Sequence, residues 1–525
     1  MKFSKAAYLC LAALAACVVL CARSMDWQWL SHSSGVGFER CNDIAVDSEG
    51  NTLVAGVGQG ACQFGSFSHN SMGNYGLVAK ADAQGNWLWL QWTGSSSNSL
   101  LLEAIKVDAE GNSYITGGFA GTLSFGSTSL TSEGSHDVFT AKLGPAGNWL
   151  WARKAGETET DTGYGLALDS FANVYVTGRS GTDAFVNIYT SAGALLAGFG
   201  YPCTESAAGM DIQIDAAGNA FVAGVFSGSI TFGTTTLTTA GWDDIFIVKI
   251  TSGGNVDWVR QAGGTGTDRV NSLGLDSNST VFFTGYFTRT ASFGPLDLTS
   301  AGGSDIFIAK LGTDGAWLGA LRAGGTTSDY GNAISVEGTS TLYLAGSFST
   351  TATFGATTLI SVGDRDMYVA KLTVAGAWLW ARGAGSTLRD RAFGLAIDSG
   401  GELRVGGSYG SDMTVGNQVI PDADPGAYNL EEVFLFKIGA VIPLIPQNLT
   451  LTMSGGDAIL SWSPVTQTVY GQLVTPDEYN VYHSSTGTID GPYTGLGRTS
   501  GTSYTHEYVG DSEPRSFYRV SAYKY

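Results

Sequence analysis

The stretch VDAEGNSYITGGF, Val107 to Phe119, followed after a Ser/Thr/Gly-rich passage by DVFTAKLGPAGNWLWARKAG, Asp137 to Gly156, decides how the chain is read. It reads as short strands rich in β-branched and aromatic residues, separated by Gly, Asn and Asp turn signals. A four-stranded unit of this kind cannot bury both faces alone, so copies of it must stack on one another. An acidic residue closing the first strand marks the copies at Asp47, Asp108, Asp169, Asp215, Asp276, Glu337 and Asp398. Successive markers stand 61 residues apart, except that Asp169 and Asp215 are separated by 46.

Three further markers keep this register. An acid opens the third strand at Asp137, Asp183, Asp244, Asp305, Asp366 and Glu432. Five residues on stands Lys80, Lys142, Lys249, Lys310, Lys371 or Lys437, and the fourth strand carries Trp87 and Trp89, Trp149 and Trp151, Trp258, Trp317, or Trp378 and Trp380. The last copy ends at Phe434-Leu435-Phe436-Lys437-Ile438 with no Trp-bearing fourth strand, whereas Trp27-Gln28-Trp29-Leu30 has that pattern ahead of the first copy. A strand donated from one end to the sheet at the other closes an array into a ring and removes its open edges. The expected fold is all-β: a seven-bladed β-propeller over residues 25–439, closed by an N-terminal strand.

With these motifs in view, the repeats resemble the bacterial β-propeller repeats known as SBBP. VDSEGNTLVAG (Val46–Gly56), LDSFANVYVTG (Leu168–Gly178) and DIFIAKL (Asp305–Leu311) carry the likeness over some four hundred residues. The resemblance implies a secreted or surface protein and no single activity. The short third copy departs from the pattern.

Composition narrows the function classes. Only 14% of the 525 residues are charged, 74 are Gly, and the formal charge is −19. Phosphate-backbone binding is driven by Lys and Arg displacing counterions, so nucleic acid is set aside as a partner. Residues 1–24 place Lys2 and Lys5 before an apolar run from Ala6 to Ala22 and read as a secretory signal peptide, with the mature chain starting at Met25. Leu14-Ala15-Ala16-Cys17 offers the competing reading of a lipid anchor at Cys17. No later stretch is apolar over the ~18 residues a membrane helix needs. Outside the leader stand Cys41, Cys62 and Cys203. Cys41 and Cys62 share a repeat; either they form a disulfide contributing about 3 kcal/mol, or they are two buried thiols.

Sites are sought where the copies differ or converge. The Asp-x-x-Gly-Asn segments read as structural turns, and the Trp pairs as packing between blades. One rim has only tight turns; the other receives the longer, irregular connections, the usual carriers of binding function. The third copy lacks the insertion after Gly178, whereas the seventh has an extended one from Ser408 to Glu432; a low third wall beside taller neighbours predicts a notch in the loop-bearing rim. Glu39, Asp161, Asp268, Asp329 and Asp390 each lie eight residues before a strand-closing acid. They are expected to form a partial ring at the mouth of the central channel, with Asp43 and Asp211 lining it farther in. Such a ring suits a hard cation such as calcium, while Arg40, Arg269 and Arg391, which directly follow three of the acids, offer local neutralisation instead. The histidines show no metal-ligand spacing, and no nucleophile elbow or phosphate loop is present. Catalysis through paired channel carboxylates stays open, since a ring brings distant acids together.

Beyond a proline-stiffened connector at 440–447, residues 448–525 hold six alternating runs with Trp462 early and Tyr518-Arg519-Val520-Ser521-Ala522 late, resembling a fibronectin type III domain. The expected function is recognition of an extracellular protein or glycan on the loop-bearing rim, in a secreted, periplasmic or cell-surface protein. The alternative is a carbohydrate-active enzyme, a glycoside hydrolase or lyase.

Overall fold

The structure, a computed structural model, describes residues 25–95, 99–416, 418–422, 431–440, 449–454, 457–464, 478–484, 494–506 and 517–523. The leader at 1–24 with Cys17, most of the connector, and residues 423–430 of the extended insertion lie outside the described residues. Every regular element among the described residues is a strand. Contacts divide the chain into one unit from Trp29 to Lys437 and a second holding both ends.

Each repeat forms an antiparallel sheet whose strands follow chain order. The Phe38 sheet holds Phe38–Val46, Thr52–Phe64, Phe67–Ala81 and Trp87–Trp92. The Leu100 sheet holds Leu100–Val107, Ser113–Phe119, Asp137–Leu143 and Trp149–Ala155. The Asp161 sheet holds Asp161–Leu168, Val174–Ser180, Asp183–Tyr189 and Leu195–Tyr201. Next come the Ser206 sheet, with Ser206–Ile214, Ala220–Ser227, Asp244–Ile250 and Val256–Gly264, and the Arg269 sheet, with Arg269–Leu275, Val281–Phe293, Leu296–Leu311 and Trp317–Ala323. The Tyr330 sheet holds Tyr330–Glu337, Thr341–Phe348, Asp366–Thr373 and Trp378–Ala384. The Arg391 sheet holds Arg391–Ile397, Leu403–Tyr409 and Glu432–Ala440, and its outer strand is Met25–Gly35.

The paired central stretches of the second and third strands are mostly buried, and Ser113–Phe119 and Asp137–Leu143 are buried along their whole length. They read as nearly unbroken apolar runs because a neighbouring sheet covers each face. The core accordingly lies between sheets: Leu53, Ala55 and Val78 pack with Leu102, Ile115 and Phe139, and Phe221, Ile245 and Ile247 with Val270, Phe283 and Phe307. The first sheet meets the last in the same way, since Cys41, Val54 and Leu77 share a cluster with Val433 and Leu435. The Val433 N–H donates to Ser33 Oγ at 2.9 Å, fastening the donated strand.

The recurring polar residues are explained by this stacking. In the first turn Asp47 Oδ1 accepts the N–H groups of Glu49 and Asn51 at 3.0 and 2.9 Å, and Asn51 Nδ2 donates to Asp47 Oδ2 at 2.9 Å. In three sheets the third-strand lysine pairs with that acid, Lys80 with Asp47 at 2.8 Å, Lys142 with Asp108 at 3.7 Å and Lys371 with Glu337 at 3.0 Å, whereas Lys249 pairs with Asp257 at 2.9 Å and Lys437 with Glu402. The second Trp of each pair reaches the following sheet. The indole N–H groups of Trp29, Trp89, Trp151 and Trp258 donate to the carbonyls of Ala83, Pro145, Ser191 and Thr313 at 3.0–3.1 Å. The Trp89 ring lies on Gly147, whose φ is +83° and where an added Cβ would come within 2.9 Å of the indole. Trp29 makes this contact from the donated strand, so it occupies the place of a fourth-strand Trp.

The connections between second and third strands depart from expectation. They are β-hairpins, such as Thr122–Phe125 with Thr128–Thr131 and Thr351–Phe354 with Thr357–Ile360. Each folds back over its own outer strand: Phe64 meets Trp87, Phe125 meets Trp149 and Phe354 meets Trp378 edge-on, at 4.8, 4.9 and 5.3 Å between centroids. In the Asp161 sheet a two-residue turn with Gly181 at φ +58° replaces the hairpin.

In the other unit the described residues form two three-stranded sheets. Thr450–Ser454, Asp457–Ser461 and Ser503–His506 make one; Thr494–Thr499, Glu478–Ser484 and Phe517–Tyr523 make the other. Trp462 is buried among Leu460, Tyr479, Val481 and Val520.

Candidate functional site

Each inner strand carries a β-bulge at the same register. The pairing with the second strand skips Asn42, Glu103, Tyr164, Met210, Asn271, Asn332 and Phe393. A bulge inserts one unpaired residue, bends the strand and re-aims the side chains before it. All of these residues line a cavity of about 430 Å³ enclosed by the inner strands. Unlike the Trp, Lys and turn residues, they differ in chemistry from sheet to sheet. Asn42, Asn271 and Asn332 each donate an amide hydrogen, at 2.8 Å, to the next sheet's inner strand, at the carbonyls of Leu102, Gly331 and Ala392.

One residue deeper, Asp43 and Asp211 line the cavity, as expected. Asp43 Oδ1 accepts the Ile44 N–H at 2.8 Å, while its Oδ2 accepts the Ile105 N–H at 3.0 Å and Lys106 Nζ at 3.2 Å. Asp211 accepts the N–H groups of Ile212 and Leu273 at 2.7 and 2.8 Å and the Ser272 hydroxyl at 3.2 Å. Burial raises Asp211 to about 6 against the pull of Lys106 and the backbone donors. Lys106 lies deep in the protein but is 31% exposed to the channel; burial works against its charge, and Asp43 and Asp211 outweigh it and hold the ammonium above its ordinary value. Glu103 is raised by burial, with Arg40 opposing. The result is a narrow polar lumen with two carboxylates about one ammonium, surrounded by amide and hydroxyl groups.

The five rim carboxylates are placed differently. Glu39, Asp161, Asp268, Asp329 and Asp390 are all buried. Each aspartate accepts an N–H from four residues before it and another from twenty residues after it. Asp268 bonds Gly264 at 2.7 Å and Thr288 at 3.3 Å; Asp329 bonds Gly325 at 2.7 Å and Ser349 at 3.1 Å. Asp161 and Asp390 repeat the arrangement with Glu157 and Gly181, and with Ser386 and Gly410. They pin the loop entering each sheet to the end of its second strand. The physical reason is the bulge. Simple alternation puts Glu39, Cys41 and Asp43 on one face, but the bulge at Asn42 turns Glu39 and Cys41 into the protein and brings Arg40 toward the lumen. Nor do the following arginines neutralise these acids: Arg269 pairs with Asp243 at 3.1 Å, and Arg391 with Glu431.

Across each junction a second buried acid, from the preceding sheet's third strand, approaches the first. At Gly324, with φ +128°, an added Cβ would stand 2.7 Å from Asp305 Oδ1 and 2.8 Å from Asp329 Oδ2. Burial, with like charge from the partner acid, raises Asp268 and Asp390 to about 7, Asp329 to about 6 and Glu39 to about 8. Asp305 and Asp366 keep one buried oxygen without a hydrogen-bond partner. Among the described residues no group of three or more His, Cys, Asp or Glu side chains is arranged to hold a metal ion.

Cys41, Cys62 and Cys203 are free thiols, and Cys41 and Cys62 share one core cluster, so the structure takes the second of the two cysteine readings. Where the Asp161 sheet lacks a hairpin, a cleft of about 270 Å³ opens between Val138, Gly156, Asp183, Asn187 and Phe199. No helix among the described residues is long and apolar enough to cross a membrane.

Comparison with known proteins bears on the repeats. The family described as Beta-propeller repeat, SBBP, matches residues 150–185. The chain is similar to an uncharacterized WD repeat-containing protein of Acanthamoeba polyphaga mimivirus, with 24% identity over 55% of this chain and 27% of that protein. It thus spans about a quarter of that relative's length. Among solved structures, it is similar to the Pan2 WD40 domain of Neurospora crassa, with 7% identity, a TM-score of 0.41, and coverage of 76% of this chain and 89% of the other. It is also similar to the β-propeller domain of the Trilobed protease from Pyrococcus furiosus, with 9% identity, a TM-score of 0.38, and coverage of 76% and 93%. An ulvan lyase of polysaccharide lyase family PL25 gives 11% identity, a TM-score of 0.41, and coverage of 73% and 93%. Likeness at this level transfers no activity. The family match and the sequence relative support a β-propeller repeat protein.

Proposed function

We propose that this chain is a secreted or cell-surface recognition scaffold, binding an extracellular protein or glycan on the rim that carries the hairpins and inter-sheet loops. In this reading the Trp29–Lys437 unit is a seven-bladed β-propeller behind a signal peptide at 1–24, and residues 448–525 are a fibronectin type III-like spacer. One observation carries it: the Trp, turn and junction residues that recur hold the sheets together, whereas the bulge position facing the lumen is Asn in three sheets and Glu, Tyr, Met and Phe in the other four. A rigid scaffold with a variable polar lining is the usual form of a binding site. The inner strands enter from the hairpin-bearing rim, so the bulge residues lie at that end. The test is a glycan and surface-protein array probed with the full chain, with and without calcium. Selective retention supports the reading, and indifference to calcium removes the cation. Retention of nothing would sink it.

The enzymatic alternative rests on Asp43 and Asp211, two carboxylates in one lumen held in unlike environments. General acid–base chemistry needs such a difference. Glycan turnover abolished by Asp211→Asn would replace the binding reading with this one.

A further inference from the structure

At the rim end of the lumen, three arginines from consecutive sheets gather on aromatic rings. The Phe393 ring, which lines the cavity, carries the guanidinium carbons of Arg40 and Arg391 at 4.7 and 5.2 Å from its centroid. One sheet back, Arg365 lies 4.5 Å from the centroid of Tyr330, and Tyr330 occupies the register that Arg391 occupies in the last sheet. The arginines are close enough to act on one another. Burial lowers Arg391 from its ordinary value, Arg40 and Arg365 press in the same direction, and only Glu431 opposes them.

Like charges held together in a protein of net charge −19 call for an explanation. Arg391 has Glu431 as its ion-pair partner. Among the described residues, the side chains of Arg40 and Arg365 form neither an ion pair nor a hydrogen bond, and their Nε atoms are buried without an acceptor. Acids act on them only from a distance: Glu103 on Arg40, and Asp329 and Asp364 on Arg365, with Asp364 itself engaged by Arg389 at 2.7 Å. Arg391 Nε is likewise buried without an acceptor; buried donors without partners are rare in folded proteins, and three in one cluster point to a ligand that completes them.

We propose that Arg40, Arg365 and Arg391 form a binding site for the carboxylate of an acidic sugar, a uronate residue of a glycan, whose hydroxyls enter the lumen. The proposal deepens the recognition reading and rests on it. A planar carboxylate matches the guanidinium fork. Below the mouth, Asn271, Asn332 and Ser272 offer amide and hydroxyl partners suited to sugar hydroxyls, and the lumen's volume of about 430 Å³ lies within the range of small-ligand sites.

The test is calorimetric titration of the full chain with oligogalacturonate, its methyl ester and a Glu-rich peptide, at low and high salt. The acid oligosaccharide is expected to bind and to weaken with salt. The ester and the Arg40→Gln/Arg365→Gln double variant are each expected to bind about tenfold more weakly or worse. The melting temperature of the double variant is expected to fall only slightly, since each arginine gives up a ring contact but no ion pair or hydrogen bond. Equal binding of the ester, an unaffected double variant or no binding of the uronate overturns the proposal; a peptide that binds as tightly overturns the sugar assignment. Should the double variant not fold, Arg365→Lys keeps the charge without the fork, and undiminished binding by it is equally fatal. Array ligands retained alike by wild type and double variant would leave the recognition reading standing and remove this one.

Discussion

Asp329 and Asp211 are both aspartates, one just before an inner strand and one within it, and both are raised to about 6 by burial. Asp329 belongs to a set recurring at nearly every sheet junction, is closed from solvent and accepts backbone N–H groups from two loops. Asp211 recurs only as Asp43, faces the channel and shares it with Lys106. The contrast separates two kinds of information in a repeat chain. A residue kept in most copies answers a need common to every copy, the joining of one sheet to the next. A residue that changes among otherwise equal copies is free of that need, and its chemistry is available for something else.

The strongest way to break the comparison is to remove a member of each set. Asp329→Ala orphans two buried N–H groups and is expected to destabilise the Trp29–Lys437 unit by about 3 kcal/mol. Glu103→Gln, in the variable set, removes an acid that burial already disfavours and is expected to change stability by less than about 1 kcal/mol. Denaturant unfolding of the two variants checks this. Equal losses would mean that recurrence does not mark the scaffold.

The junction acids also set the sign of the pH dependence. Their folded-state values, about 8 for Glu39, 7 for Asp268 and Asp390 and 6 for Asp329, lie above ordinary carboxylate values. Between about pH 4 and pH 8 the folded chain therefore holds more protons than the unfolded one, and stability falls as pH rises through that window. Their contribution is fully present below about pH 4 and is lost by about pH 8, the facing acids at each junction titrating as one system. Melting temperatures measured from pH 5 to pH 8 should decline. A rise across that range that depends on added calcium would show that the junctions hold a cation in place of a proton.

A smaller effect tests the third recurring device. Trp151→Phe loses the indole bond to Ser191 and part of the packing on Gly193, with an expected loss of about 1–2 kcal/mol. The loss should be similar for Trp89 and Trp258 if the junctions are equivalent.

These junctions are largely legible in the amino-acid sequence. The 61-residue spacing of the strand-closing acids, the Trp pairs and the donated Trp27–Leu30 strand are periodic signals, and packing between sheets is what such signals encode. The hairpins escape the same reading although five of them carry Phe followed by Gly at one register, as in Phe125-Gly126 and Phe354-Gly355, and the sixth carries Val415-Gly416. The Gly adopts φ of about +60° at the turn, but a run of Ser and Thr around it hides the alternation. The bulges leave no mark at all. Each shifts the alternation by one residue, which sends Glu39 and Asp268 into the interior and Arg40 and Arg269 toward the channel. Counting in steps of two from the strand end therefore selects the wrong face. Only Asp43 and Asp211, on the near side of the bulge, fall where that count puts them.

The finest test falls inside the channel. Lys106 bonds Asp43 directly and is the main charge holding Asp211 down, while Asp43 pushes Asp211 up. Lys106→Met removes the ammonium and leaves two like charges facing one lumen. The Asp211 carboxyl, near 6 in the parent, should then titrate higher. Because Lys106 is partly exposed and both carboxylates keep their backbone donors, the loss of stability should stay below about 1 kcal/mol. Carboxyl resonances followed against pH read the first effect, and thermal unfolding reads the second. A large shift with little destabilisation is what a charge held for a ligand gives. A large destabilisation would put Lys106 with Lys80 and Lys371, among the residues that hold the sheets. The lumen would then be one more part of the scaffold, and the search for a ligand would move to the cleft beside the Asp161 sheet.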